Sequence, residues 1–331
     1  MEIIFLGTSS GVPTKSRNVS ATAVKLMNSR YWNLIDCGEG TQQQLQKTNL
    51  SLNKLSAIYI THVHGDHCYG LPGLLASASM SSRTDPLLIV GPPAINDFIA
   101  SVQQCTDLRL SYEIIFREVK ADIESSLNSN IEKSSASKEF DVHAIELSHR
   151  VPSFAYRFTE KNIQAKLNHK KLKMDNIQSG PVWGKIQQGE TVSLDDGREI
   201  KGSDYLLSER EPRKIIISGD NDSPHLLTQV AASANVLVHE STYTEKHSIQ
   251  IGAGPQHSDA KRVAQFAQQV SISNLVLTHF SARYQDLSDK SPSIADIENE
   301  ARDHYKGQLF LANDFDVYQL SLDGNLVQQF K

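Results

Sequence analysis

Five short apolar runs in this chain end abruptly on a residue able to hold a metal ion. They are LSAIYITH, ending at His62; VHAIELSH, at His149; KIIISGD, at Asp220; NVLVHE, at His239–Glu240; and NLVLTH, at His279. Runs of this length, rich in β-branched residues, read as buried strands. Helical stretches alternate with them, around residues 72–82 and 259–270, the latter capped by Ser258 or Asp259. The opening MEIIFLG reads as a first strand running into a glycine turn. The chain is therefore expected to be α/β. Buried strands in such a fold present their functional residues in loops at one edge of a sheet. Strand ends converging on His and Asp predict one site assembled from the whole chain.

The segment Thr61-His62-Val63-His64-Gly65-Asp66-His67 carries the most chemistry. Just past a strand, His62 and His64 point the same way, because side-chain direction repeats every two residues. Gly65 then permits a tight turn that brings Asp66 and His67 round beside them. Imidazole and carboxylate together suit Zn²⁺, or Mn²⁺ and Fe²⁺, rather than Ca²⁺ or Mg²⁺. Four ligands cannot fill two tetrahedral sites. His149, Asp220 and His279, each at a strand end, are the candidates for the remainder.

Composition narrows the setting. The chain has 331 residues, 39% of them hydrophobic, enough for one large or two modest domains with a sizeable core. It has no apolar run long enough to cross a bilayer, and its N-terminus lacks the basic flank of a signal peptide. Three cysteines (Cys37, Cys68 and Cys105) argue against a disulfide framework and for a reducing cytoplasm. Cys68 reads as a small residue packed under the metal loop. The net charge of −5 does not announce a nucleic-acid binder, but a local basic patch could serve. Residues 161–213 form a long polar excursion with Lys161, Lys166, Lys170, Lys171 and Lys173, a Gly180-Pro181 step and a hairpin-like Asp195-Asp196-Gly197. Residues 157–173 hold six Lys/Arg against one acid, a local net of +5. Excursions of this length are usually functional or disordered. The Ser/Asn-rich stretch 121–138 reads as a surface loop or partly ordered insertion.

HxHxDH, followed at a distance by His, Asp and His at strand ends, resembles the metallo-β-lactamase superfamily over nearly the whole chain. The resemblance implies a four-layer αββα sandwich, residues 1–331 forming one domain, with a dinuclear zinc site at one edge of the sheets. By motif, His62, His64 and His149 hold one metal, Asp66, His67 and His279 the other, and Asp220 bridges them. Two metals ~4 Å apart can share a hydroxide and clamp both reacting oxygens of a phosphodiester.

Four motifs resemble the ribonuclease Z branch. Pro13-Thr14-Lys15-Ser16-Arg17-Asn18 is similar to its PxKxRN loop; Lys15 and Arg17 there suit phosphate contacts, with Asn18 beside them. Asp36-Cys37-Gly38-Glu39-Gly40-Thr41-Gln42 resembles DCGEGTQ, in which the aspartate supports the metal loop. His239-Glu240-Ser241-Thr242 resembles the HEAT loop; His239 is expected to act at the site, orienting a ligand carboxylate. His257-Ser258-Asp259 resembles the HST loop, whose histidine is the favoured proton donor to the leaving 3′ oxygen. The sequence departs from the family pattern at Asp259, which sets an acid near the phosphate position, at SGDNDSP around Asp220, and at Ala155.

The branch projects a flexible arm, the exosite, that grips tRNA. Residues 161–213, with Lys170, Lys171, Lys173, Gly180 and Pro181, match that arm. The resemblance further implies endonucleolytic removal of the 3′ trailer of precursor tRNA, a second role for Asp66 in taking a proton from the nucleophile, and a homodimer of the short form. His143, His169, His225, His247 and His304 read as structural or surface residues. The rival enzyme reading is a phosphodiesterase acting on small or cyclic phosphoesters, against which the basic arm speaks. A non-catalytic RNA-binding protein would show an eroded ligand set, and all seven ligands are present.

Overall fold

The computed structural model describes residues 1–120, 127, 138–161, 163, 166–207, 210–286 and 291–329. The chain divides into two compact units, Met1–Thr159 with Arg213–Lys331, and Glu160–Pro212. The serine-rich stretch lies outside the described residues except at Leu127 and Lys138.

The larger unit is built on two sheets. One is eight-stranded, in the order Leu326–Gln329, Val317–Leu320, Glu2–Gly7, Ala21–Lys25, Trp32–Ile35, Leu55–Tyr59, Leu87–Gly91, Ile114–Glu118. The other is six-stranded, in the order Gln308–Leu311, Asn274–Thr278, Val236–Glu240, Lys214–Ile217, Ser153–Glu160, Phe140–Leu147. Strand alternation gives each sheet two apolar faces. Ala57 and Tyr59 face inward to a core shared with Tyr156, Phe158, Ile217 and Val238. Ile58 and Ile60 face outward, under helices Leu71–Met80 and Pro93–Thr106. On the second sheet Leu237, Leu275 and Leu277 pack outward against Val263, Ala264, Phe266 and Ala267 of helix Ala260–Gln269 and against helix Ile294–His304. Each fully buried Leu, Ile or Phe contributes about 1.5–3 kcal/mol, so every sheet face needs its cover. The result is the αββα order of layers. Asp259 caps Ala260–Gln269, its side chain accepting from the Arg262 N–H.

The ligand-bearing runs end where the apolar pattern ends: at Tyr59 before His62, Leu147 before His149, Ile217 before Asp220, and Thr278 before His279. Lys214–Ile217, Val236–Glu240 and Asn274–Thr278 run parallel, as do Trp32–Ile35, Leu55–Tyr59 and Leu87–Gly91. Their C-terminal ends therefore carry the polar residues together.

In the smaller unit, helices His169–Met174 and Pro181–Gln187 and the hairpin Thr191–Ser193/Glu199–Lys201 enclose Leu172, Ile177, Ile186, Val192, Ile200 and Tyr205. The apolar residues are too sparse for a periodic signal, so the sequence shows only a polar excursion. Arg157, counted with the basic stretch, instead belongs to a sheet strand of the larger unit, opposite Ile216.

Candidate metal centre

Seven side chains meet at the strand ends in two sets. His62 Nε2 lies 3.0 Å from His64 Nδ1, which is 3.2 Å from His149 Nε2, and Asp220 Oδ2 is 3.6 Å from His62 and 3.7 Å from His149. In the second set His67 Nε2 and His279 Nε2 are 3.3 Å apart, each 3.5 Å from Asp66 Oδ2. Asp220 Oδ1 completes it, 3.5 Å from His67 and 3.3 Å from His279. Asp220 thus turns one oxygen to each set.

Most of these ligands are held by their other nitrogen. Asp36 Oδ2 accepts from His67 Nδ1 at 2.7 Å and from the Thr61 hydroxyl at 2.8 Å, and Thr61 Oγ1 in turn lies 3.0 Å from His62 Nδ1. His149 Nδ1 donates to the Gln256 carbonyl at 2.9 Å. His279 Nδ1 lies 3.0 Å from Thr242 Oγ1, whose hydroxyl donates to Glu240. Each bond puts the proton on Nδ1 and leaves Nε2 as a lone pair aimed at the cluster. His279 adopts φ 59°, a left-handed backbone that turns the ligand off the end of its strand.

These residues fit a divalent metal. Donor pairs at 3.0–3.7 Å are spaced like the edges of a tetrahedron whose centre lies about 2 Å from each donor. Imidazole nitrogens facing one another as lone pairs need a cation between them. Burial and neighbouring histidines hold His62 below its ordinary pKa, and burial does the same to His64 and His149, favouring the neutral ligand form. Against the cost of burial, positive charge at His67 and His279 would hold Asp66 well below the usual carboxylate range, a charge that a bound cation supplies when those nitrogens are lone pairs. Asp36, Asp220 and Glu240 add three more buried carboxylates, a charge that a cation offsets.

His257 lies beside both sets, its Nδ1 3.1 Å from both Glu240 oxygens and 3.7 Å from Asp220. Burial would lower its pKa, but Glu240 and Asp220 outweigh that and raise it to about 9. With Nδ1 engaged, Nε2 is the nitrogen left to exchange a proton.

Several expectations are corrected. His239 does not orient a ligand carboxylate: it is fully buried, with Nδ1 on the Glu240 carbonyl at 2.8 Å and Nε2 3.1 Å from Asn221 Nδ2. Alternation along Val236–Glu240 turns His239 outward with Leu237, and Glu240 inward with Val236 and Val238. Glu240 is the member of the pair that reaches the site. Arg17 is not available to phosphate: it is buried, bonding Asp286, Thr8, the Ala312 carbonyl and Asn313. Asn18 binds the Glu39 carbonyl. Of the three loop residues, Lys15 is the exposed one. Arg17 and Asn18 shape a loop whose Gly11 N–H donates to Asp66 Oδ2 at 2.7 Å. Asp259 is the expected helix cap, and it borders the same space as His257. Gly65 makes the expected tight turn by opening the short helix Gly65–Cys68, which brings Asp66 and His67 round to the site, and a Cβ there would strike the Tyr69 ring. Asn221, where the sequence departs from pattern, anchors the Asp220 loop by donating its N–H to Glu240 at 2.7 Å.

In the smaller unit, Lys170 and Lys173 are exposed on His169–Met174, while Lys171 bonds the Asp204 carbonyl and lies over the Tyr205 ring. Gly180 and Pro181 are exposed at the start of Pro181–Gln187. The three cysteines are unpaired, and Cys68 is buried in the outer core of the eight-stranded sheet. Among the described residues, no helix is long and apolar enough to cross a membrane.

Over 326 residues the chain is 48% identical to ribonuclease Z of Marinobacter nauticus, an alignment covering 98% of each. The short form of human tRNase Z matches with a TM-score of 0.67 at 27% identity, across 97% of this chain and 100% of the human one. The metallo-β-lactamase-fold protein YhfI of Bacillus subtilis matches with a TM-score of 0.61 at 16% identity, across 96% and 98% of the two chains, a likeness of fold alone. The family model described as anti-Pycsar protein Apyc1 matches residues 1–150, the part that contributes His62, His64, Asp66, His67 and His149.

Proposed function

This chain belongs to the ribonuclease Z family of metallo-β-lactamase-fold proteins, and from that premise we propose that it removes the 3′ trailer of precursor tRNA. The cut falls after the discriminator nucleotide, leaving a 3′-hydroxyl on the tRNA and a 5′-phosphate on the trailer. The observation that carries the reading is the pair of donor sets sharing Asp220, with a carboxylate-held histidine beside them.

His62, His64 and His149 are the ligands of one Zn²⁺, Asp66, His67 and His279 those of a second, and Asp220 serves both; Mn²⁺ or Fe²⁺ would suit the same donors. When bound, the two ions supply a nucleophile at neutral pH and positive charge against the phosphate oxygens. The protein's own groups do the rest. Asp36, Thr61 and Thr242 fix the ligand tautomers. Asp66 stands ready to take a proton from the nucleophile. Glu240 keeps His257 protonated near neutrality, so its Nε2 can deliver a proton to the departing 3′ oxygen. Lys15 is the loop cation available to phosphate.

Residues 161–213 are the tRNA-gripping arm in this reading, with Lys170 and Lys173 as exposed phosphate contacts and Lys171, Gly180 and Pro181 shaping the surface that bears them. The enzyme works in the cytoplasm as a homodimer, the arm of one subunit presenting tRNA to its partner. The test is incubation of a 3′-extended tRNA with the protein and with His64→Ala, in Zn²⁺ or Mn²⁺. Product of mature length from the parent protein alone is the expected result. An intact precursor, with hydrolysis of a small phosphodiester that still requires His64, would replace this reading with a small-molecule phosphodiesterase.

A further inference from the structure

A cavity of about 360 Å³ shares the His257 wall of the metal centre and extends away from it, between Tyr243, Ile249, Pro255 and Gln265. Its size falls within the range of about 300–1,000 Å³ that holds small organic ligands. The lining is divided. Ile249, 73% exposed, with Pro255 and the Tyr243 ring, offers apolar surface. Gln256, Gln265 and Asp222 offer donors and acceptors.

Charge says which part of a nucleotide belongs there. Apart from His257, at the wall shared with the metal centre, the cations in the lining already have partners: Lys261 Nζ is 2.8 Å from Glu245, and Arg262 bonds the Asp222 carbonyl at 2.8 Å and lies 3.5 Å from Asp259. Three carboxylates, Asp222, Glu245 and Asp259, line the same space. Beyond the His257 wall a phosphate would meet no free positive charge. A flat, neutral ring with a polar edge meets apolar surface, an aromatic ring and amides. The Tyr243 ring is held for that role, with the Arg283 guanidinium 5.1 Å from its centroid and the His257 ring 6.0 Å away.

We propose that this cavity is the seat of the discriminator base, the base of the nucleotide whose 3′ oxygen leaves. The inference rests on the trailer-removing reading above, in which His257 protonates that oxygen. The nucleotide carrying the oxygen must then lie against His257, and the cavity is the space that His257 and Tyr243 jointly border. Tyr243 is a substrate-positioning residue here, stacking on the base regardless of its identity. The enzyme accordingly accepts any of the four discriminators but requires that a base be present.

The test compares single-turnover cleavage of two 3′-extended tRNAs, one intact and one abasic at the discriminator position. Each is cut by the metal-loaded parent protein, Tyr243→Ala and Ile249→Asp. Ile249 is largely exposed, so its variant folds even where loss of the tyrosine ring disturbs packing. The parent should cut the intact substrate about tenfold faster than the abasic one, and both variants should lose that preference. Equal rates on the two substrates with the parent, or a preference kept by both variants, overturns the assignment of the cavity while leaving the trailer-removing activity standing. Cleavage of neither tRNA, with hydrolysis of bis(p-nitrophenyl) phosphate intact, overturns that activity and the cavity assignment with it.

Discussion

Asp36 and Glu240 reach the metal centre from the two different sheets and use the same arrangement. Each buried carboxylate takes one histidine directly and a second through a threonine hydroxyl. Asp36 holds His67 directly and His62 through Thr61; Glu240 holds His257 directly and His279 through Thr242. The difference lies in the histidines. Both of those held by Asp36 belong to the donor sets, so that carboxylate serves binding alone. Glu240 holds one donor and one histidine outside the two sets, so it joins the metal centre to His257, the proton carrier of the proposed reaction. One device in two contexts gives a foundation at one sheet and a working part at the other.

The comparison breaks if the two carboxylates prove interchangeable in effect. Glu240→Gln should lower kcat on precursor tRNA by on the order of 100-fold or more with bound metal retained, as measured by elemental analysis beside single-turnover rates. Its pH profile gives the direction. In the proposed role His257 must carry a proton to act, and Glu240 raises its pKa, so the rate should fall as pH rises through that value. Without the charge of Glu240, burial is less opposed, the pKa drops, and the alkaline limb moves to lower pH. An unmoved alkaline limb would separate Glu240 from His257. Asp36→Asn should act the other way round, weakening metal affinity by about 10- to 100-fold in a chelator competition, with activity recovering in excess Zn²⁺. Loss of rate that excess metal does not restore would give Asp36 a role beyond holding ligands.

The threonines sharpen the contrast at smaller amplitude. Thr61→Val and Thr242→Val each remove one hydrogen bond to a ligand histidine, about 1 kcal/mol, and should weaken metal binding several-fold. Thr242→Val should also leave Glu240 with one partner fewer and so lower kcat slightly, whereas Thr61→Val should affect affinity alone. The split between affinity and turnover is the measurement; identical behaviour of the two variants would erase the distinction.

Much of this could be read in the chain before any coordinates. Strands end where β-branched apolar runs meet His or Asp, because burial marks such runs; the layer order is implied by the metallo-β-lactamase resemblance, and the runs alone give no more than an α/β class. The strand-end dipeptide His239–Glu240 does not say which member faces inward. That depends on which faces of the sheet Leu237 and Val238, earlier on the same strand, take. Arg17 looked like a phosphate ligand because an arginine in a polar loop gives no sign of being buried. Its partners at Asp286, Ala312 and Asn313 are some 270–296 residues away. The small core of residues 160–212 escaped notice for want of periodicity.

The first strand, Glu2–Gly7, is interior to its sheet, paired to Ala21–Lys25 on one side and to Val317–Leu320 on the other. The loop that follows it is tied down by Ala312, Asn313 and Asp314 through Arg17, Thr8 and Asn18. All seven metal-facing residues lie at or before His279. During vectorial synthesis, a ribosome therefore finishes the complete ligand set more than thirty codons before it delivers the residues that fasten the rim. A nascent or clipped chain ending short of Ala312 would have the donors for metal but not the pinned loop that sets Gly11 against Asp66. Translation thus completes the means of cutting before the structure that frames the cut.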